Sequence, residues 1–338
     1  YSITSHTTLW SQFWGFTNQF EDVLKAMIGS VVFFTIAVFS MHAVRKKLPY
    51  EVWYFMHLLV YGGVLLAFGH QVHSGSDVMT QKWMQIFWYG IYATVFVILG
   101  YYRFMRPIIN YLRHGFVVDK VTEEADNIYS IYFTGRNLES FSYEAGQYAH
   151  WRFFNKELWL EAHPFSFSSE PGAHFLRITF KTSGDFTEIL KQIKPGTRVL
   201  LDGPRGSFTP DRADTDKVLL IAGGIGVAPF VASLKHLLQE GKQVQLLYSV
   251  NNRNDLAFVS ELKAIRDTSN GYFGITPHIS SEQGYVDEAR LLPFVTGTGD
   301  SLTVYVCGPE PMTESLKDSI LPALGIEKRQ IVAERFKF

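Results

Sequence analysis

The 338-residue sequence predicts a multidomain membrane protein in three parts: a transmembrane helical bundle, a small antiparallel β-barrel and an open α/β domain. Three observations carry this expectation. Long runs without Asp, Glu, Lys or Arg fill the first third; short β-rich runs separated by turns begin at Phe116; and from Lys217 strands alternate with helical stretches, the first strand ending in a glycine turn. The expected parts are 1–112, 113–210 and 217–338, with polar residues 211–216 as the linker. The whole-chain values, 47% hydrophobic and a net charge of -1, average over an apolar front and an ordinary soluble remainder, and the charge gives no reason to expect a nucleic-acid partner. One cysteine excludes an internal disulfide framework and any cysteine-based zinc or iron–sulfur cluster.

A membrane helix needs about 20 mostly apolar residues. Residues 26–44, 52–76 and 83–102 meet that length and are too long and too numerous to be a signal peptide. Arg45, Lys46 and Lys47 come after the first run and Arg103, Arg106 and Arg113 after the third, whereas Glu21, Asp22, Lys25, Asp77 and Lys82 lie at the opposite ends. The positive-inside rule then makes the protein multi-pass in the cell membrane, with everything after Arg103 cytoplasmic. The sequence opens on Tyr1 rather than Met, which reads as an interior start with helices upstream.

The second run holds His57, His70 and His73 but no charged residue. Ionisable side chains inside a membrane are costly and mark function by default. Metal or haem ligation is the leading reading, and a hydrogen bond across a helix interface is the alternative. His57 and His70 stand 13 residues apart, roughly 20 Å along a helix, which sets two ligands at two membrane depths. They fall about 220° apart around an ideal helix, so Gly62 and Gly63 are the expected point of bending. His73 is the runner-up for the outer position, and interfacial packing is the better reading of His6 and His42.

Runs at 116–122, 128–134, 148–154, 175–181 and 199–202 have the spacing of barrel strands. Runs at 218–222, 244–250, 272–279 and 302–306 alternate with helical stretches such as 231–239, the pattern of an α/β sheet. The first of these strands leads into Gly223-Gly224-Ile225-Gly226-Val227 and then a helix, a turn suited to a pyrophosphate because glycine lets the backbone approach and the helix start offers N–H groups. Glycines also simply make turns. Ser249 lies near the end of the second strand, and Arg253 just beyond stands where a 2′-phosphate would be read, or is a solvated loop residue.

Taken together, these residues resemble the NADPH oxidase and ferric reductase superfamily, most closely its bacterial NADPH oxidase members. The likeness covers nearly the whole chain, and its motifs occur in the family's order. It implies a ferredoxin-reductase-like pair of FAD and NAD(P)H domains behind a haem-binding bundle, with His57 and His70 each ligating one of two b-type haems. The opposite ligand of each haem is expected on a helix upstream of the sequence. His163-Pro164-Phe165-Ser166-Phe167 resembles the family's flavin motif, where Phe165 would cover the isoalloxazine and Ser166 would bond near its reactive N5 edge. Lys181, Gly184 and Thr187 would hold the FAD pyrophosphate. Cys307-Gly308-Pro309 resembles the nicotinamide site, and Phe338 the terminal ring that covers the flavin until nicotinamide displaces it.

The resemblance implies electron transfer from cytoplasmic NADPH, or NADH, through FAD and two haems to dioxygen, giving superoxide. Ferric or other metal reduction on the same scaffold is the enzyme alternative, and an electron-delivery subunit for a redox partner is the non-enzymatic one. No EF-hand loop and no obligatory protein partner are evident, so a constitutive enzyme is expected.

Overall fold

The computed structural model describes residues 8–19, 22–41, 44, 50–73 and 81–336, and the chain divides by contact into two compact units, Tyr1–Phe104 and Met105–Phe338. In the first unit the uncharged runs are helical: α1 is Leu9–Gln19, α2 Val23–Ser40, α3 Tyr50–His73 and α4 Lys82–Gly100. Among the described residues three segments are long and apolar enough to cross a membrane, Val23–Ser40, Val52–Val72 and Lys82–His114. Large apolar side chains such as Val31, Phe34, Leu65 and Val97 point outward. Such surfaces suit hydrocarbon rather than water as the surrounding solvent.

Small residues bring α2 and α3 together. A Cβ on Gly29 would stand 2.9 Å from the Gly63 carbonyl oxygen, and one on Gly63 3.2 Å from the Phe33 ring. This is the close helix approach that glycine permits in membranes. Gln71 ties α3 to α4, its Oε1 accepting from Tyr92 Oη at 2.6 Å and Trp88 Nε1 at 3.3 Å.

The second unit opens with α5, Arg106–His114, after a π-helical turn at Tyr101–Met105. α5 ends where Gly115 takes a positive φ of 54°. The buried ring of His114 lies 5.3 Å from Phe116, and its Nδ1 is 3.1 Å from the Arg136 carbonyl. Two antiparallel sheets come next. One has the order β1 (Val117–Ala125), β2 (Ile128–Thr134), β5 (Leu176–Lys181); the other has β4 (His163–Ser166), β3 (Tyr148–Phe153), β6 (Val199–Arg205). Isolated bridges at Val117–Arg198 and Phe167–Ile178 link them. Alternating inward residues build an aromatic core from Phe133, Trp151, Phe153 and Phe167.

The remaining five strands, β7 (Lys217–Gly223), β8 (Gln243–Val250), β9 (Phe273–Ile279), β10 (Leu302–Pro309) and β11 (Ile331–Phe336), are parallel in the order β11-β10-β7-β8-β9. Their aliphatic runs are buried because helices cover the sheet, as parallel sheets require. The strand order reverses between β7 and β10. Ligands of open α/β sheets bind beyond the carboxyl ends of the strands at such a switch point.

The two halves of this unit are packed into one body. Phe208 lies 5.7 Å from Phe230 and 5.4 Å from Tyr305, whose hydroxyl donates to the Thr209 carbonyl at 2.8 Å. Arg177, almost wholly buried, donates to Glu261 at 2.8 Å and lies 4.7 Å from the Phe258 ring centre.

Candidate flavin and nucleotide site

The crevice expected at the switch point exists. A cleft of about 770 Å³ opens between the ends of β7 and β10 on one side and β5 on the other, lined by Gly223, Gly224, Ser249 and Pro309 together with Lys181 and Ile128. Its glycines serve two purposes. A Cβ on Gly226 would come within 2.1 Å of the Cys307 carbonyl oxygen, and one on Gly308 within 3.0 Å of Gly223 Cα, so these two let the β7 and β10 loops pack. Gly224, at φ 54° with nothing within 4 Å of a Cβ, faces open space instead and leaves its backbone approachable. Val227 is buried at the base of α7 (Ala228–Gln239) and contributes packing.

Lys181 reaches across the cleft, its Nζ 3.3 Å from Asp255 Oδ1. It is the cation best placed for a phosphate there. Thr187 has a local duty, accepting from the Ser183 and Gly184 N–H groups at 3.0 and 3.2 Å and so tightening the turn into α6, Asp185–Leu190. Gly184 begins that turn with no atom within 4 Å of a Cβ.

The flavin-like motif is a strand. β4 pairs with β3, Ser166 opposite Tyr148 and His163 opposite Trp151, and the pleat sends His163 and Phe165 to one side. Phe186 closes over them, 3.8 Å from the His163 ring and 6.3 Å from Phe165. His163 is also bonded to Glu161 at 2.9 Å. Pro164 is exposed and Phe167 is fully buried in the core. Ser166 is nearly buried, and its hydroxyl makes no hydrogen bond among the described residues, leaving it available to a ligand.

Of the expected residues Lys181, Gly223, Gly224, Ser249 and Pro309 line the cleft, whereas the flavin-like strand, Gly184, Thr187, Gly226, Val227 and Gly308 do not, and Cys307 and Arg253 also stand apart from it. Cys307 is fully buried; burial pushes its thiol well above the usual range, and the neighbouring Glu334 charge adds to this, so it is a neutral packing thiol in this conformation. Arg253 sits on the outer turn, 73% exposed, and both of its reaching nitrogens hold Glu282 at 2.9 Å. That bond holds the Glu282 carboxyl below its usual range. Phe338 lies outside the described residues, as do His6 and His42.

Other residues complete the cleft. Tyr285, 90% exposed, overhangs it, and Met312, Asn251 and Ser280 line it. Glu334, on β11 opposite Cys307, has a carboxyl that burial pushes up to about 7. The sequence singles out the terminal ring of Phe338, whereas only the pairing of β11 with β10 brings this carboxyl beside the thiol.

In the membrane unit the His57 ring packs tilted against Trp53, ring centres 4.4 Å apart. His70 Nδ1 is buried and has no hydrogen-bond partner among the described residues. An unpaired buried imidazole nitrogen costs about 1–3 kcal/mol, so the donor chemistry there fits a bound group.

Comparison with known proteins divides the chain in the same order. A ferric reductase like transmembrane component matches residues 1–68, an FAD-binding domain 114–209 and an oxidoreductase NAD-binding domain 220–318. The first match contains His57 and stops two residues short of His70. Flavohemoprotein A of Dictyostelium discoideum is 26% identical over 285 residues, covering 78% of this chain and 70% of that protein. Respiratory burst oxidase homolog protein D of Arabidopsis thaliana is 27% identical over 228 residues, 60% of this chain but 24% of the plant protein. The flavohem-like FAD/NAD binding domain of nitric oxide dioxygenase from Vibrio cholerae shares the fold, with a TM-score of 0.57 at 24% identity over 65% of this chain and 97% of that one. The three domain matches, in this order, are those of the NADPH oxidase and ferric reductase superfamily.

Proposed function

We propose that this chain, whose domains match the NADPH oxidase and ferric reductase superfamily, carries electrons from cytoplasmic NADPH or NADH through FAD and two b-type haems to dioxygen, producing superoxide. The observation that carries the reading is the cleft at the β7/β10 switch point, faced by Lys181 of the flavin half, in a chain whose membrane unit holds a buried nitrogen of His70 without a partner among the described residues. The flavin supplies the conversion of a two-electron hydride donor into single electrons. All else falls to the chain. Phe165 and Phe186 present an aromatic wall, the Ser166 hydroxyl supplies an adjustable hydrogen bond, and Lys181 neutralises phosphate. Gly223 and Gly224 give backbone approach, with Ser249 beside them, and Arg253 reads a 2′-phosphate when it releases Glu282. Pro309 lines the cleft where nicotinamide would lie, Cys307 and Gly308 pack against the β7 loop behind it, and Glu334 beside the thiol keeps a proton near neutral pH. Phe338 is assigned the ring over the flavin that nicotinamide displaces. His57 and His70 are assigned one haem each.

The test is purified protein with NADPH, studied by visible spectra and oxygen uptake with and without superoxide dismutase. Haem and flavin bands, oxygen uptake and a dismutase-sensitive superoxide signal are expected. Saturation with a ferric chelate but not with oxygen would replace this reading by metal reduction, and activity only on adding a purified partner would replace it by electron delivery.

A further inference from the structure

We infer that α5, the 154–160 loop and the cleft beneath them form a docking site for the headgroup of an anionic phospholipid; the inference rests on the reading that the chain enters a bilayer. The candidate span Lys82–His114 has 33 residues, about 50 Å of helix, whereas hydrocarbon is about 30 Å thick. Residues 82–102 already suffice to cross. The next turns, from Arg103 onward, therefore leave the hydrocarbon and enter the headgroup layer.

The sequence of α5 is built for that level. Met105, Ile108, Ile109 and Leu112 recur at helical spacing and are all exposed, Leu112 at 65%, while Pro107 and His114 on the other side are buried in the protein. A water-facing helix would show the reverse. Arg106 and Arg113 flank the apolar stripe, the composition of an interfacial helix. A second apolar tip stands beside it: Phe154, Trp159 (53% exposed) and Leu160 project from the 154–160 loop, and the Phe154 ring meets Tyr111 of α5 at 5.7 Å. Arg152 Nη1 holds the Trp159 and Leu160 carbonyls at 2.8 and 2.9 Å, so the tip is pre-shaped.

Beside α5 lies a cleft of about 550 Å³ lined by Tyr111, Leu112, Thr134, Arg136 and Arg198, which the loop adjoins through Phe154, whose N–H donates to the Arg198 carbonyl at 2.9 Å. Arg136 donates to the Leu112 carbonyl at 2.7 Å, which offsets the negative end of the α5 dipole that would repel an anion. The Arg198 guanidinium has no partner among the described residues, while its backbone bridges Val117. Two guanidiniums beside an apolar, aromatic-tipped surface match a phosphodiester whose acyl chains lie in the same membrane. The loop leads directly into β4, so a bound lipid would steady the strand that carries His163 to Ser166.

The experiment uses the full chain in nanodiscs of phosphatidylcholine, with and without phosphatidylglycerol, and reads amide hydrogen exchange. Exchange over 106–114 and 154–160 is expected to slow about five-fold with phosphatidylglycerol, the factor that about 1 kcal/mol from one basic residue, the unpartnered Arg198, implies. Arg198→Gln should remove most of that slowing, leave exchange in the β7–β10 sheet unchanged, and lose the phosphatidylglycerol that native mass spectrometry finds retained by the wild type. Trp159→Ser tests the apolar half without touching the cleft and should speed exchange of the loop in both lipids. Equal exchange in the two lipids would overturn the site, as would inorganic phosphate reproducing the slowing in phosphatidylcholine alone. Failure of the chain to enter nanodiscs at all would overturn the membrane reading instead.

Discussion

In the second unit Trp151, Phe133, Phe153 and Phe167 are wholly buried, whereas α4 of the membrane unit has no buried residue and sends Trp83, Ile86, Phe87 and Val97 outward. The two regions are similarly rich in large apolar side chains and use them in opposite directions. In the first case burial from water supplies the core, at roughly 25 cal/mol per Å². In the second, lipid is as apolar as the side chains, and helices are held by small-residue contacts and polar bonds such as Gly29 on Gly63 and Gln71 on Tyr92. The difference teaches that a polar side chain such as His70 carries more information in the membrane unit, where nothing in the surroundings solvates it.

The largest expected effect separates the two regions outright. His57→Ala and His70→Ala should each lose one b-haem from the visible spectrum while FAD remains bound at the wild-type ratio, because the flavin site draws on a core of its own. Retention of both haems in either variant would remove the ligand assignment, and joint loss of FAD would show that the units do not fold separately.

Next comes the tolerance of glycines. Gly226→Ala forces a Cβ to 2.1 Å from the Cys307 carbonyl oxygen, a backbone atom that cannot swing away, and should cost about 3 kcal/mol of stability. Gly90→Ala in α4 meets nothing within 4 Å and should be neutral. Thermal unfolding of both variants in detergent checks the contrast; equal melting temperatures would mean the β7 and β10 loops are looser than their packing indicates.

Much of this was legible in the sequence. Charge-free runs, glycine turns and alternating apolar residues are local signals, and β2 at Ile128–Thr134 was readable to the residue. What escaped is what distant pairing decides. β4 is only four residues long and contains Pro164, so it reads as a motif rather than a strand until β3 pairs with it. β11 is set by its parallel partner β10, which places Glu334 beside Cys307 across an interval of sequence with no local trace. Likewise the sequence places Arg253 near an adenosine ribose, yet cannot show that Glu282, 29 residues later, occupies its guanidinium.

Glu334 sharpens the comparison through pH. Its folded carboxyl titrates near 7 because burial disfavours the charge, whereas an unfolded one titrates near 4.5. The folded state therefore binds the extra proton between those values. The contribution of this group to stability is full below about 4.5, falls as pH rises through that window, and is lost above 7. Glu334→Gln should flatten the loss and gain about 1–2 kcal/mol at pH 8, after allowance for partial exposure, with little change at pH 5. Melting curves at the two pH values decide it. An equal gain at both would make the residue's effect steric rather than electrostatic.

The smallest effect concerns Arg253. As a free guanidinium it would favour NADPH over NADH by a charge-assisted, bidentate bond to the 2′-phosphate. In this structure the same two-pronged geometry is spent on Glu282, at 2.9 Å from Nε and from Nη2, so phosphate binding must replace one anion by another on an exposed residue. The net gain is the difference between two similar bonds, and salt screens both. Arg253→Ala should raise the KM for NADPH about three- to ten-fold and leave that for NADH within two-fold, while Glu282→Gln should lower the KM for NADPH by releasing the competitor. Steady-state NAD(P)H oxidation with both cofactors at low salt measures this. If Arg253→Ala shifts the two KM values equally, the residue only braces its turn; if Glu282→Gln leaves the KM for NADPH unchanged while Arg253→Ala raises it, the ion pair opens without appreciable cost and exchange of one anion for the other is not what limits discrimination.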